Sequence, residues 1–253
     1  MSEDVKKPDI KKKKRHKKHY LRKIAISIIV IVALVLFLRS GFFDLEKITV
    51  EDNNYFADNE IIVMADIEPS CNLFWGIDSS RIISRLTVDP YIEEVSISRK
   101  LPNELVIDVK ERKQIAAVIY GDKFVLIDGE GRVLRITETK PKVTLLKGLT
   151  VSKIAEGEII EAEESVTLKN TLKMLNAMEE GDLYFTKIEM TDLFIKAYVY
   201  NSLVCKGTPN QMMDSIEKGN LQKILNCLFE IDINRGTINL SEGNYASFTP
   251  KVE

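Results

Sequence analysis

The chain has 253 residues, of which 45% are hydrophobic and 29% charged, and a formal net charge of −2. Three cysteines, Cys71, Cys205 and Cys227, exclude a disulfide framework in a body this size, since one is odd whatever the pairing. The near-neutral total conceals an asymmetry: residues 1–23 hold eleven Lys or Arg against Glu3, Asp4 and Asp9, a net of +8, so the remainder carries −10 and suits no nucleic-acid partner.

The N-terminal block, with Lys11, Lys12, Lys13, Lys14, Arg15, Lys17 and Lys18, reads as a solvated tail that also attracts anionic inner-leaflet lipids. Nucleic acid is not expected there either, because Tyr20 is the only aromatic interleaving the basic residues. Ile24 to Leu38 follows, fifteen uncharged and nearly all apolar residues. A helical span needs about 20 residues. The flanks supply the difference: Tyr20 and Leu21 before the run, Phe42 and Phe43 after it, and Arg22, Lys23 and Arg39 with charged ends that reach headgroups. A buried core helix would leave the preceding lysines without a reason. A cleaved signal peptide would need a small-x-small exit, which Arg39-Ser40-Gly41-Phe42-Phe43 does not offer. The expectation is an uncleaved anchor with the tail in the cytoplasm and the C-terminal body outside.

Beyond the anchor, Phe43 to Val50 reads as a strand whose apolar phase breaks between Leu45 and Ile48, the mark of a bulge or bend. Glu51-Asp52-Asn53-Asn54 is turn chemistry, and Asp58 or Asn59 is expected to cap a short helix carrying Ile61, Ile62 and Ala65. Trp75, in the irregular stretch Ile67 to Ile77, suits domain core or membrane-interface packing. Asp78 or Ser79 caps a second helix with Ile82, Ile83 and Leu86 on one face, and Asp89-Pro90 ends it. Strands Ile92 to Arg99 and Glu104 to Lys110 follow, joined by Leu101-Pro102-Asn103.

Here the chain resembles a known family. The segment PYIEEVSISRKLPNELVIDVKER, Pro90 to Arg112, is similar to the end of the POTRA domain of the FtsQ/DivIB bacterial division proteins. A proline (Pro90) precedes the strand, Lys100 and Pro102 sit in the turn, and Glu111-Arg112 closes the third strand; the basic tail, single anchor and FFDLEKITV strand fit the same layout.

Past Arg112 the patterns are mostly strands: Ile115 to Tyr120, Lys123 to Ile127 and Arg132 to Ile136, with Asp128-Gly129-Glu130-Gly131 as a hairpin turn rather than a calcium loop, which needs twelve residues with spaced oxygen ligands. Glu161 to Met178 is expected to be a helix, with Leu168, Leu172, Leu175 and Met178 on one face and Glu161, Glu163 and Glu164 in its first turn. Strands Leu183 to Met190, Asp192 to Tyr200 and Leu203 to Lys206 come next. Thr208-Pro209-Asn210-Gln211 is a capping box that fixes a helix start at 208 or 209, with Leu221, Ile224, Leu225 and Leu228 giving the later apolar face. Gly236 to Leu240 and Asn244 to Pro250 are strand-like. Cys205 and Cys227 sit among apolar neighbours and are expected as buried free thiols.

The fold class expected is α+β: a single transmembrane helix, then a POTRA domain (β-α-α-β-β), then a second β-rich domain with two helices. The boundaries are residues 1–23 for the basic cytoplasmic tail, 21–41 for the transmembrane helix, 43–111 for the POTRA domain and 112–250 for the β domain.

Chemistry is scarce in the body. His16 and His19 both precede the anchor, so no Cys–His, Ser–His–Asp or His-based zinc site is expected beyond it, and no catalytic, metal or cofactor residue is assigned. Ser215 to Lys218 is an S-x-x-K motif without its S-D-N and K-T-G companions, on a stretch that reads as exposed. Neighbouring carboxylates such as Glu163-Glu164 and Glu179-Glu180 do not face each other on a helix. The resemblance instead implies a non-enzymatic septal scaffold, with small bitopic partners of the FtsL and DivIC/FtsB type. In that family the last strands offer a free edge to such a partner, which maps to Thr237, Ile238, Asn239 and Leu240 and to Tyr245, Ala246, Ser247 and Phe248. An anchored cell-wall hydrolase or transpeptidase, and a POTRA-type envelope assembly factor, are the alternatives.

Overall fold

The computed structural model describes residues 16–178, 184–199, 202–241 and 245–251. The lysines before His16, the Glu179-Glu180 pair, Tyr200 and the first residues of the strands expected from Leu183 and Asn244 lie outside them. The chain forms two compact units, one holding residues up to 51 with 56–85 and 96–108, the other holding 52–55, 86–95 and everything from 109.

Helix α1 (His16–Leu38) opens the first unit. Its stretch Tyr20–Leu38, 19 residues with a mean hydropathy of 2.6 and none of it buried, suits a single membrane span. A short 3-10 turn, Gly41–Phe43, then leads to β1 (Lys47–Glu51), α2 (Asp58–Ala65), α3 (Ser79–Leu86), β2 (Ile92–Lys100) and β3 (Glu104–Glu111), the β-α-α-β-β order expected. The small sheet runs β1-β3-β2, with β1 parallel to β3. The phase break read in the sequence is a real discontinuity: Phe43 and Leu45 are buried ahead of β1, where Asp44 bridges to Asn72, and Val50 is buried within it. Ile61, Ala65, Leu73, Ile82, Leu105 and Ile107 are buried in this unit.

Helix α2 begins one residue earlier than the cap expected from Asp58 or Asn59. Ala57 occupies the cap position, and Glu60 reaches back so that its carboxylate accepts the Ala57 N–H at 2.8 Å. Asp78 does cap α3, its Oδ1 accepting the N–H groups of Ser80 (3.1 Å) and Arg81 (3.2 Å).

The second unit contains β4 (Ala116–Tyr120), β5 (Lys123–Ile127), β6 (Val133–Thr137), β7 (Thr144–Lys147), β8 (Val151–Lys153), β9 (Glu161–Ala162), α4 (Ser165–Met178), β10 (Lys187–Met190) and β11 (Ile195–Tyr198). It closes with β12 (Leu203–Gly207), α5 (Pro209–Glu217), α6 (Asn220–Glu230), β13 (Gly236–Leu240) and β14 (Ala246–Pro250). Nine of these strands make one sheet, ordered β14-β13-β12-β11-β10-β7-β4-β5-β6. In β10 to β13 burial alternates along the strands, so one face carries Ile188, Ile195, Cys205 and Ile238 into a common core with Leu172 of α4, Met212 of α5 and Leu225 of α6.

Four local expectations are corrected. The helix expected from Glu161 starts at Ser165, because Glu161 and Ala162 pair with β8 and Glu164 turns back to accept the Thr150 N–H (2.8 Å) and hydroxyl (2.9 Å). The late helix is divided at Gly219, whose φ of +67° breaks the helical path, so the two helical regions expected hold three helices. Ser215 is not exposed: with Pro209 and Met212 it lies on the buried face of α5, 5% accessible, which keeps the S-x-x-K hydroxyl away from any substrate. Of the cysteines expected as buried thiols, Cys205 is buried and Cys227 exposed, since it falls on the outer side of α6; all three cysteines are free.

Candidate partner-binding edge

The path to the final hairpin is set by two local signals. At the end of β12, Thr208 Oγ1 accepts the Gln211 N–H (3.2 Å) and Gln211 Oε1 accepts the Thr208 N–H (2.9 Å), so α5 starts where the capping box dictates. After α6, Gly236 opens β13 with a φ of +142°. A Cβ there would lie 2.6 Å from two ring carbons of Phe248 and 2.7 Å from the Thr249 carbonyl oxygen. Only glycine lets the Phe248 ring and the backbone of β14 close over this point.

β13 runs parallel to β12 and antiparallel to β14, in the register Thr237 with Thr249, Ile238 with Phe248, Asn239 with Ser247 and Leu240 with Ala246. The eight residues expected to bind a partner are thus brought side by side, but in different situations. Ile238 and Leu240 are buried, Thr237 and Asn239 half-buried, and both edges of β13 are taken by neighbouring strands. Tyr245 is 77% exposed, Ala246 and Ser247 are exposed, and Phe248 is half-buried against the core. No strand of the described residues lies beyond β14, so of the two strands of this hairpin the one with an unpaired edge is Ala246–Pro250.

Which groups of β14 face outward follows from the ladder. Ser241 donates its N–H to the Tyr245 carbonyl at 2.9 Å, which makes Ser241 and Tyr245 a hydrogen-bonded pair. Such pairs alternate in an antiparallel ladder, so Ser247 and Thr249 also bond inward to β13. The N–H and C=O groups of Ala246 and Phe248 point away from the sheet, and Pro250, in the same phase, contributes only a carbonyl. Neither Gly236–Leu240 nor Ala246–Pro250 contains a charged residue. The face shared with Phe248 is apolar, whereas Thr237, Asn239, Ser247 and Thr249 form a polar stripe on the other. Thr249 and Pro250 join this edge through register, which no local pattern in the strand announces. Behind this hairpin, Cys205 on β12 pairs with Ile238, and burial pushes its thiol up to about 12.

The FtsQ-type POTRA domain model matches residues 43–112. Cell division protein DivIB of Clostridium botulinum (strain Hall) is 30% identical over 265 aligned residues, covering 99% of this chain and 100% of that protein. DivIB of Clostridium acetobutylicum is 27% identical over 191, covering 74% of this chain and 76% of the relative. A solved structure of the major extracytoplasmic domain of the trans isomer of DivIB from Geobacillus stearothermophilus aligns with 45% of this chain and 97% of its own, at 16% identity and a TM-score of 0.30.

Proposed function

Because the chain belongs to the DivIB/FtsQ family of bacterial cell division proteins, we propose that it is a non-enzymatic scaffold of the division complex, and that β14 receives a strand from small bitopic coiled-coil proteins of the FtsL and DivIC/FtsB type. The lysine-rich tail lies in the cytoplasm on anionic lipids, the body lies outside, and the protein gathers at the septum. One observation carries the reading: an edge strand with outward donors, no charge and no covering segment among the described residues. Proteins normally blunt such an edge with charges, bulges or cover. An added strand bonds to Ala246 and Phe248 and places alternate apolar side chains beside them, with polar residues beside Ser247 and Thr249.

The test is a proline scan of β14 in the full chain, read by co-purification with the partner pair. Ala246→Pro removes an outward N–H and spares the inward bonds, so it weakens capture by about tenfold, near 1.4 kcal/mol, while the fold is retained; Phe248→Pro also deletes the ring packed on the core and weakens capture further. Ser247→Pro removes an inward N–H and loosens β14 itself. Undiminished capture by the 246 and 248 variants would remove this edge from the interface.

A further inference from the structure

We infer that the body of the first unit is seated on the outer lipid–water interface through an aromatic loop centred on Trp75, rather than carried on a free linker. The inference goes beyond the scaffold reading and concerns a different surface. It starts at the end of α1. The last carbonyls of a helix have no partner within it, yet here Arg39 donates its N–H to the Val35 carbonyl (3.0 Å), and Ser40 donates its N–H (3.0 Å) and hydroxyl (2.7 Å) to that of Phe37. The Leu38 carbonyl is taken by the side-chain amide of Asn72, at 3.1 Å and 34 residues away. The membrane helix is therefore capped by the domain that follows it.

No slack remains between them. Phe43 and Asp44 close the 3-10 turn onto Ser40 and Gly41, Leu45 donates its N–H to Cys71, and Leu73 donates its N–H to Phe43, the last two at 2.8 Å. The loop that supplies Asn72 is braced from several sides. Asn72 Oδ1 accepts the N–H groups of Phe74 (3.1 Å) and Trp75 (3.4 Å), the Gly76 N–H bonds back to the Asn72 carbonyl at 2.7 Å, and Arg99 holds the carbonyls of Leu73 (2.8 Å) and Ile77 (3.2 Å). Gly76 is obligatory there, since a Cβ would lie 2.7 Å from that of Cys71.

This rigid loop presents apolar surface to solvent where the span ends. Aromatic rings run unbroken from the helix outward: Phe37 packs on Phe42 (6.3 Å) and Phe43 (5.3 Å), Phe43 on Phe74 (5.3 Å), and Phe74 on Trp75 (6.0 Å). Phe43 is buried, but Phe42 is 62% and Trp75 54% exposed. The headgroup region accommodates an aromatic ring with an apolar body and a polar edge, and the indole is braced in an exposed position beside the end of the span. Continuity with the span fixes the occupant as lipid. Glu68 and Asp78 flank the loop, so the contact is made by ring burial rather than by attraction to anionic headgroups.

Trp75 is the sole tryptophan of the chain, so intrinsic fluorescence reads this loop alone. The full chain is placed in nanodiscs of phosphatidylcholine, with or without acyl chains brominated near the headgroup. The expected result is emission quenched at least about twofold by the shallow bromines and little affected by aqueous iodide, with neither response changed by added phosphatidylglycerol. Asn72→Ala, which cuts both the tie to Leu38 and the bonds that brace Phe74 and Trp75, reverses the order of the two quenchers. Emission quenched by iodide and indifferent to brominated lipid would overturn the proposal, as would quenching that appears only with anionic lipid. Neither outcome bears on β14, whose partner capture is measured separately.

Discussion

At the β6 end of the nine-stranded sheet the chain folds back over its own edge, whereas at the β14 end the outward groups of Ala246 and Phe248 face away from every strand described. Beside β6, Val133 donates its N–H to the Glu158 carbonyl and accepts that of Gly157, both at 2.8 Å, and the Ile136 N–H goes to Glu156 Oε1 at 3.0 Å. The side chains complete the closure. The Arg135 guanidinium lies 5.3 Å from the Tyr91 ring and 5.8 Å from that of Tyr55, and those two rings stack at 4.0 Å. The closed end thus uses charge, aromatic packing and a covering loop, each a known device against unwanted pairing. Among the described residues of β14, Pro250 at the end of the strand is the one such device.

The comparison breaks most easily at its closed end. Asp128 is 4% exposed, its Oδ1 holds the N–H groups of Glu130 (2.9 Å) and Arg132 (2.8 Å), and its Oδ2 pairs with Arg112 at 3.1 Å. Asp128→Ala leaves a mostly buried guanidinium and two turn amides without their acceptor, and should cost about 3 kcal/mol. Chemical unfolding of the solubilised chain measures the loss. Hydrogen exchange should show it centred on β5 and β6, with β13 and β14 keeping their protection. Uniform loss of protection across the sheet would show that the two ends are not independent.

The open end has its own weak point in Gly236. Gly236→Ala forces a Cβ into the Phe248 ring and imposes a backbone angle that alanine rarely adopts, for about 2 kcal/mol. The expected signature is local: fast exchange over 236–240 and 245–250, loss of partner capture, and unchanged protection in β5 and β6. A variant that captured partner normally would mean that the seating of Phe248 does not matter to the edge.

How far these features could be read in advance depends on where their causes lie along the chain. The capping box of Thr208 and Gln211, the cap at Asp78 and the turn at Asp128 are made by residues within four positions of each other, and each is where its spacing predicts. β7 carries no such local signal. Its Thr144, Leu145 and Leu146 are all buried, so the run has no alternation, yet it joins β4 to β10 at the middle of the sheet. The edge hairpin was legible as strands but not in its phase. That Ser247 bonds inward while Ala246 and Phe248 face out, and that Phe248 needs a glycine twelve residues earlier, follows only from register.

Cysteine chemistry sharpens the comparison without perturbing it. Cys227 is exposed on α6, whereas Cys205 lies in β12 behind the open hairpin, its thiol pushed by burial from 9.0 up to about 12. That shift alone lowers the thiolate fraction roughly a thousandfold. Maleimide at neutral pH should therefore modify Cys227 promptly and Cys205 only through opening of the sheet. Gly236→Ala should speed the Cys205 reaction and Asp128→Ala should not. Equal acceleration by both would mean that the hairpin opens only when the whole sheet does.

Acid and base should separate the two ends by the smallest margin. Against the burial that would raise it, the Glu164 carboxyl is held below its usual 4.5 by the N–H and hydroxyl of Thr150; the Lys153 amine is held above 10.5 by Glu158. A lowered carboxyl contributes stability that is present above pH 4.5 and fades as pH falls through its folded value. A raised amine contributes stability that is present below pH 10.5 and fades as pH rises through its folded value. Both groups lie in the segment of β8, β9 and the loop that covers β6, while β13 and β14 contain no titrating side chain. Protection factors for 150–164 should accordingly decline below pH 4.5, and again above 10.5, while those of 236–241 stay level. A parallel decline in both segments would place the pH response in the shared core and not in the carboxylates that close one edge.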